Sequence, residues 1–152
     1  MIRLPKDFKE FLQLLRLKGI EYLVVGGYAV AFYAFYGYPR ATGDMNIWIA
    51  ISKNNASKIV EALKEFGFNI PELQEGLFLE KEKNIRMGNP PLRIEILTSI
   101  DGVEFSECYE HKQAAIIDDV EINFISLGDL KKNKRASGRY RDLGDLEYLE
   151  KQ

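Results

Sequence analysis

Four groups of residues have types and spacings suited to phosphate or cation chemistry. The first is the junction Val24-Val25-Gly26-Gly27-Tyr28, where one apolar run meets two glycines and a second apolar run begins. If the first run is a strand and the second a helix, the helix N-terminus offers free N–H groups and the positive end of its dipole to an anion, and glycine lets a phosphate approach the backbone closely. The same pair also serves as a purely structural turn, and no GxxxxGK[ST] or GxGxxG motif accompanies it. The second group is Asp44-Met45-Asn46. On a strand, period two sends Asp44 and Asn46 to one face, where hard oxygen ligands suit magnesium or manganese; otherwise Asp44 closes a turn after Gly43. The third is Glu95, which either faces solvent from a half-buried strand or converges with Asp44 on an ion.

The fourth group is the basic run Lys131, Lys132, Lys134, Arg135, Arg139 and Arg141, with no acid until Asp142. It reads as a local phosphate or nucleic-acid patch, or as a solvated helix face. Leu127, Leu130 and Lys134 share one helix stripe, and Asp142 shares another with Leu146 and Leu149, so Lys134 and Asp142 both point inward. They flank one pocket or form a buried structural ion pair.

These groups need elements to hold them. Residues 5–18 carry Phe8, Phe11, Leu12 and Leu15 on one helical face behind Pro5. A strand is expected at 21–25 and a fully buried helix at 28–36. After a loop at 37–43, a second strand at 45–51 has Ile47, Ile49 and Ile51 on one face and Asn46, Trp48 and Ala50 on the other. Ser52 caps a helix with the stripe Ala56, Ile59, Leu63 and Phe66, closed by Gly67. Residues 68–83 show no period. A hairpin joins 84–87 to 92–97, a short helix covers 105–112, strands at 114–117 and 120–125 turn at Asp118-Asp119, and helices at 127–136 and 140–150 end the chain. The uncharged stretch 22–39 is too rich in tyrosine and glycine for a membrane span.

The length of 152 residues fits one domain. The composition, 46% hydrophobic and 29% charged, excludes a disordered or low-complexity chain. A net charge of -2 provides no global attraction to nucleic acid or membrane. A single cysteine, Cys108, excludes an intrachain disulfide and a multi-cysteine zinc site; His111 is also alone. The charged N-terminus lacks a signal-peptide pattern, so a cytoplasmic protein is expected and the sequon Asn55-Ala56-Ser57 carries no meaning.

In this order, the segments YLVVGGYAV, RATGDMNIWI, RIEILTSIDG and ISLGDLKKNKRASGRYRDLGDLEYLE resemble the nucleotidyltransferase superfamily with the DNA polymerase beta-like catalytic fold. More narrowly, the chain is similar to small bacterial proteins related to the abortive-infection type IV toxin and to tRNA-modifying nucleotidyltransferase toxins. The resemblance implies an α/β (α+β) fold, a minimal nucleotidyltransferase domain over residues 1–152 with a mixed β-sheet flanked by helices and two C-terminal helices. It implies that Gly26 and Gly27 hold a nucleoside triphosphate (NTP), with Arg40 and Thr42 nearby, and that Asp44 ligates Mg2+ (or Mn2+). Glu95 is then the third carboxylate and candidate base, Lys134 meets phosphate, and Lys134 and Asp142 complete the pocket. The chain departs from the pattern at Asn46, which stands where the second Asp is expected; the metal set Asp44, Asn46 and Glu95 keeps two carboxylates, and an amide oxygen adds no charge. The implied activity is metal-dependent transfer of a nucleoside monophosphate from an NTP to a hydroxyl of RNA, such as tRNA, or of protein, as the toxin of a toxin-antitoxin pair with an antitoxin partner. The alternative is a weakened or inactive module that binds nucleotide, RNA or a protein partner.

Overall fold

The computed structural model describes residues 4–34, 43–88 and 93–151; Arg40, Thr42 and the tip of the 88–91 turn lie outside these. Helix α1 (Lys6–Leu17) follows Pro5 and buries Phe8, Phe11, Leu12 and Leu15, the stripe its spacing predicts. Strand β1 (Tyr22–Val25) is buried along its whole length. Helix α2 (Gly26–Ala34) starts on the glycines themselves rather than after them, and it is not wholly buried: Tyr28, Phe32 and Tyr33 are partly exposed. Its Tyr33 hydroxyl is anchored by donating to the Ile125 carbonyl oxygen at 2.6 Å.

Strand β2 (Asp44–Ile49) begins one residue before the predicted start and stops before Ala50 and Ile51. Residues Ile47, Trp48 and Ile49 are all buried, so both faces are covered and the simple inside–outside alternation fails there. The cause is position: β2 lies in the middle of the sheet. Helix α3 (Lys53–Phe66) starts with the Ser52 hydroxyl accepting from Asn55 N at 3.1 Å, and it ends at Gly67 with φ 113°.

Residues 68–83 hold only a short 3-10 turn at Glu75–Phe78, whose Phe78 is fully buried. Strands β3 (Asn84–Met87) and β4 (Arg93–Leu97) form the predicted hairpin. Helix α4 (Phe105–Glu110) leads to β5 (Gln113–Ile117) and β6 (Val120–Phe124). Asp118 and Asp119 both have positive φ, 52° and 66°, as a two-residue primed turn requires. Helices α5 (Leu127–Ser137) and α6 (Tyr140–Leu149) close the chain.

The six strands form one mixed sheet in the order β3-β4-β2-β1-β6-β5. β1 and β2 are neighbours, as expected, and run antiparallel; β2 and β4 are parallel, as are β1 and β6. Helices α1 and α3 pack together, with Phe11 and Phe66 edge to face at 5.3 Å. The sheet thus places the start of β2 and the body of β4 next to the β1–α2 junction.

Candidate functional site

Gly26 has φ +66°, and a Cβ on it would lie 3.0 Å from the Asn46 Cγ. Glycine is therefore required twice over, by the backbone conformation and by the neighbouring side chain. The contact follows from the register Val25↔Asn46, and it sets the N-terminus of α2 against the Asp44-Met45-Asn46 segment. Parallel pairing with β4 then aligns Asp44 with Arg93 and Asn46 with Glu95, while β3 aligns Arg86 with Glu95. The two predicted carboxylates and Asn46 share one face because β2 and β4 have the same phase there.

That face is internally compensated. Asn46 Nδ2 donates to Glu95 Oε1 at 2.9 Å and Arg86 Nε to Oε2 at 2.7 Å, so the buried Glu95 has a donor on each oxygen. Arg93 grips Asp44 with two bonds, Nε to Oδ1 and Nη2 to Oδ2, both 3.2 Å. Such fork geometry is the strong form of a carboxylate pair. Among the described residues no group of three His, Cys, Asp or Glu gathers as a metal cluster. Between Asp44 and Glu95 stands Asn46, whose amide brings no negative charge. The remaining donor set, two carboxylates and one amide oxygen, fits one hard dication better than two.

On the other side of the cleft, α5 and α6 bring Lys134 and Asp142 together. Lys134 Nζ lies 2.9 Å from Asp142 Oδ1 and 3.1 Å from Asp145 Oδ2, with its side chain 5% exposed. The two inward stripes of the sequence reading meet here as an ion pair that also lines the cleft. Burial would raise the Asp142 carboxyl, but hydrogen bonds from Ser137 and Lys134, the Lys134 charge and Arg139 outweigh it and hold the group down at about 2. Asp145, which is fully buried, was not singled out from the sequence. The signal was present, since it sits three residues after Asp142 and four before Leu149, on the same stripe.

The rest of the basic run is mostly consumed within this helix pair. Lys131 and Arg135 reach Glu150, Lys132 reaches Asp129, and Arg139 reaches Asp142. Arg141 lines the cleft and has no ion-pair partner among the described residues. The cleft encloses about 510 Å³ between Gly26, Gly27, the Asp44 face, Arg139, Arg141 and Lys134. It combines a helix N-terminus with several cations, an arrangement suited to phosphate.

Cys108 and His111 lie elsewhere. His111 Nδ1 is 3.0 Å from Asp129 Oδ2, and the Asp129 carboxyl is lowered although burial opposes this, through bonds from His111, Ser126 and Cys108. Burial and Asp129 push the Cys108 thiol up to about 12, so it remains a protonated core group. The Asn55 carboxamide is buried and bonded to backbone groups of Glu21 and Ala50, which removes it as a glycan acceptor in the folded chain. No helix among the described residues is long and apolar enough to cross a membrane.

No family model matches the chain, and no curated protein does. Solved structures do. The chain is similar to the lincosamide antibiotic adenylyltransferase LnuA, solved with lincomycin bound, at a TM-score of 0.60 and 16% identity, covering 97% of this chain and 96% of that one. It is similar to an antigenic nucleotidyltransferase-like protein from Paracoccidioides brasiliensis at a TM-score of 0.58 and 14% identity, over 95% of this chain and 74% of that one. A candidate nucleotidyltransferase from Thermotoga maritima gives 0.55 and 17%, over 95% and 86%. Over nearly its whole length, the chain has the nucleotidyltransferase fold.

Proposed function

We propose that the chain holds an NTP in this cleft and transfers its nucleoside monophosphate to a hydroxyl acceptor. The observation that carries the reading is the contact of Gly26 at the α2 N-terminus with Asn46, which sets a phosphate cradle against the face bearing Asp44 and Glu95. Gly26, Gly27 and Arg141 would receive the triphosphate, with Arg40 and Thr42 as further candidates from the sequence. Lys134 and Asp142 shape the opposite wall. Asp44, Glu95 and the Asn46 amide oxygen would hold one Mg2+ or Mn2+, which supplies positive charge to phosphate oxygens when bound. In the transfer, the acceptor oxygen bonds to the α-phosphorus, the bond from that phosphorus to the bridging oxygen breaks, pyrophosphate leaves, and the hydroxyl proton passes to the Glu95 carboxylate.

A second reading, nucleotide binding without turnover, draws on a specific observation: both carboxylates are held by arginines, and Asn46 turns its donor toward Glu95. Incubation with each α-labelled NTP, magnesium or manganese, and total RNA or total protein separates the two. Label that becomes covalently attached to an acceptor supports transfer. Saturable NTP binding with no attached label in any arm leaves the binding module. The toxin role and the antitoxin partner belong to the same proposal and rest on the sequence resemblance; growth arrest on expression, relieved by Asp44→Ala, would support the first.

A further inference from the structure

A second cavity, also about 510 Å³, adjoins the nucleotide cleft. The two share Ser99 and Ile100 in their walls. The strand pair sets them side by side. Period two carries the Asp44 and Asn46 face of β2 on to Trp48 and Ala50, and the register carries the Glu95 face of β4 on to Leu97, opposite Trp48. The first cavity thus lies over the polar starts of β2 and β4, and the second lies at their far ends, where Trp48, Ile49, Ala50 and Ile51 meet Thr98, Ser99 and helix α4.

In the second cavity Trp48 lies under Phe105, edge to face at 5.1 Å, and Phe105 stacks on Tyr109 at 5.3 Å. The Tyr109 ring already carries a cation, Lys112 Nζ at 4.1 Å from the ring centre. The rim is acidic: exposed Glu21, Glu104 and Glu110 line the cavity against one base, Lys81. None of the three carboxylates has an ion-pair partner among the described residues. This contrasts with the nucleotide cleft, where all but one of the cations and both face carboxylates are paired. Three free carboxylates repel a polyphosphate strand and attract an organic cation, and aromatic rings add apolar contact and cation–π attraction. The volume is that of a small-molecule site.

We propose that this second cavity, beside the nucleotide cleft, is the acceptor subsite and that it takes a small aromatic or apolar organic cation bearing a hydroxyl. The assignment to an acceptor rests on the transfer reading above; binding of such a cation does not.

Trp48 is the chain's one tryptophan and lies buried beneath Phe105 in the cavity wall, so its emission senses an occupant through that ring. The test titrates the full chain with 2-amino-1-phenylethanol and, separately, with 1-phenylethanol, which lacks only the ammonium. The expected result is a saturable change with the amine, at least fivefold tighter than with the neutral alcohol. The preference should fall to less than twofold in Glu21→Gln/Glu104→Gln/Glu110→Gln, whose changes are all at exposed positions. The amine and ATP should bind together without competition. No saturable change, equal affinity for the two probes, an unchanged preference in the triple variant, or displacement of the amine by ATP would overturn the subsite. A saturable Trp48 response to a short single-stranded RNA that displaces the amine would overturn it in favour of a nucleic-acid acceptor. Failure of label transfer with the amine still bound would remove the transfer reading and leave the cation site standing.

Discussion

At the scale of single residues, Lys134 and Arg141 divide two tasks that the sequence had merged in one basic run. Lys134 sits between Asp142 and Asp145, almost wholly buried, so its charge is already compensated. Removing it withdraws the one ammonium shared by two buried carboxylates, a loss of about 3 kcal/mol. Lys134→Ala should therefore lower the melting temperature markedly while changing ATP affinity by less than threefold. Arg141→Ala should do the reverse, weakening ATP about tenfold with an unchanged melting temperature, because Arg141 lines the cleft with no carboxylate on it among the described residues. Calorimetric ATP titration and thermal melts on the two variants check the division; a melting point unmoved by Lys134→Ala would contradict it. The Asp142 carboxyl, held at about 2, adds a pH signature. A folded pKa below the unfolded value of about 3.9 contributes stability that is fully present above pH 4 and fades as pH falls toward 2, about 2 kcal/mol in all. Urea unfolding between pH 5 and pH 2 should lose that increment, and Asp142→Asn should flatten its share of the slope. Asn46 presents the complementary case, a missing charge. Asn46→Asp restores a third carboxylate beside Glu95 and should tighten Mn2+ at least tenfold in the presence of ATP, as titration calorimetry would show.

At the scale of elements, the segments with a strong period were legible, and what escaped were features decided by neighbours in space. The helices α1, α3, α5 and α6 and both hairpins follow from stripes, caps and turn residues: Ser52 and Ser126 accept from the backbone as caps, and Gly67 and Gly138 end helices with positive φ. Burial of both faces over Ile47, Trp48 and Ile49 was not legible, because alternation reports one solvated face and this part of a central strand has none. Nor were the Arg86–Glu95 and Arg93–Asp44 pairs, since these depend on register between strands far apart in sequence. The site was legible to the extent that the glycine pair, Asp44, Asn46, Glu95, Lys134 and Asp142 do meet at one cleft; Asp145, Arg86 and the second cavity were not. Asn55 shows how a local pattern misleads. It reads as a sequon or a first-turn helix residue, yet its carboxamide accepts from Glu21 N at 2.9 Å and donates to the carbonyls of Glu21 and Ala50 at 3.0 and 2.9 Å. It ties α3 to the ends of β1 and β2. Asn55→Ala leaves Glu21 N and the Ala50 carbonyl without this partner, while the Glu21 carbonyl keeps Ala50 N, and should cost about 2–3 kcal/mol, measured by denaturant unfolding, whereas Asn54→Ala, on the exposed side, should change stability by less than about 0.5 kcal/mol.

At the scale of the whole molecule, the cleft lies where the β1–α2 junction, the β2–β4 face and the α5–α6 pair adjoin, and α2 packs on both C-terminal helices. An occupant there contacts elements from the first quarter of the chain and from the last. A ligand that binds only the folded chain adds stability by mass action, about 2.7 kcal/mol at a concentration one hundred times its Kd. For a chain of 152 residues, each kcal/mol raises the melting temperature by roughly 2–4 °C, so saturating ATP should raise it by about 5–10 °C. The whole transition should move together, because the elements bridged belong to one six-stranded sheet and the helices packed on it. Arg141→Ala should lose most of that rise from an unchanged starting temperature, and Lys134→Ala should start lower and keep it. Differential scanning calorimetry with and without ATP reads all three proteins in one series. A rise of the same size in Arg141→Ala would place the phosphates elsewhere, and a split transition with ATP acting on one part alone would mean that the cleft does not bridge the two ends of the chain.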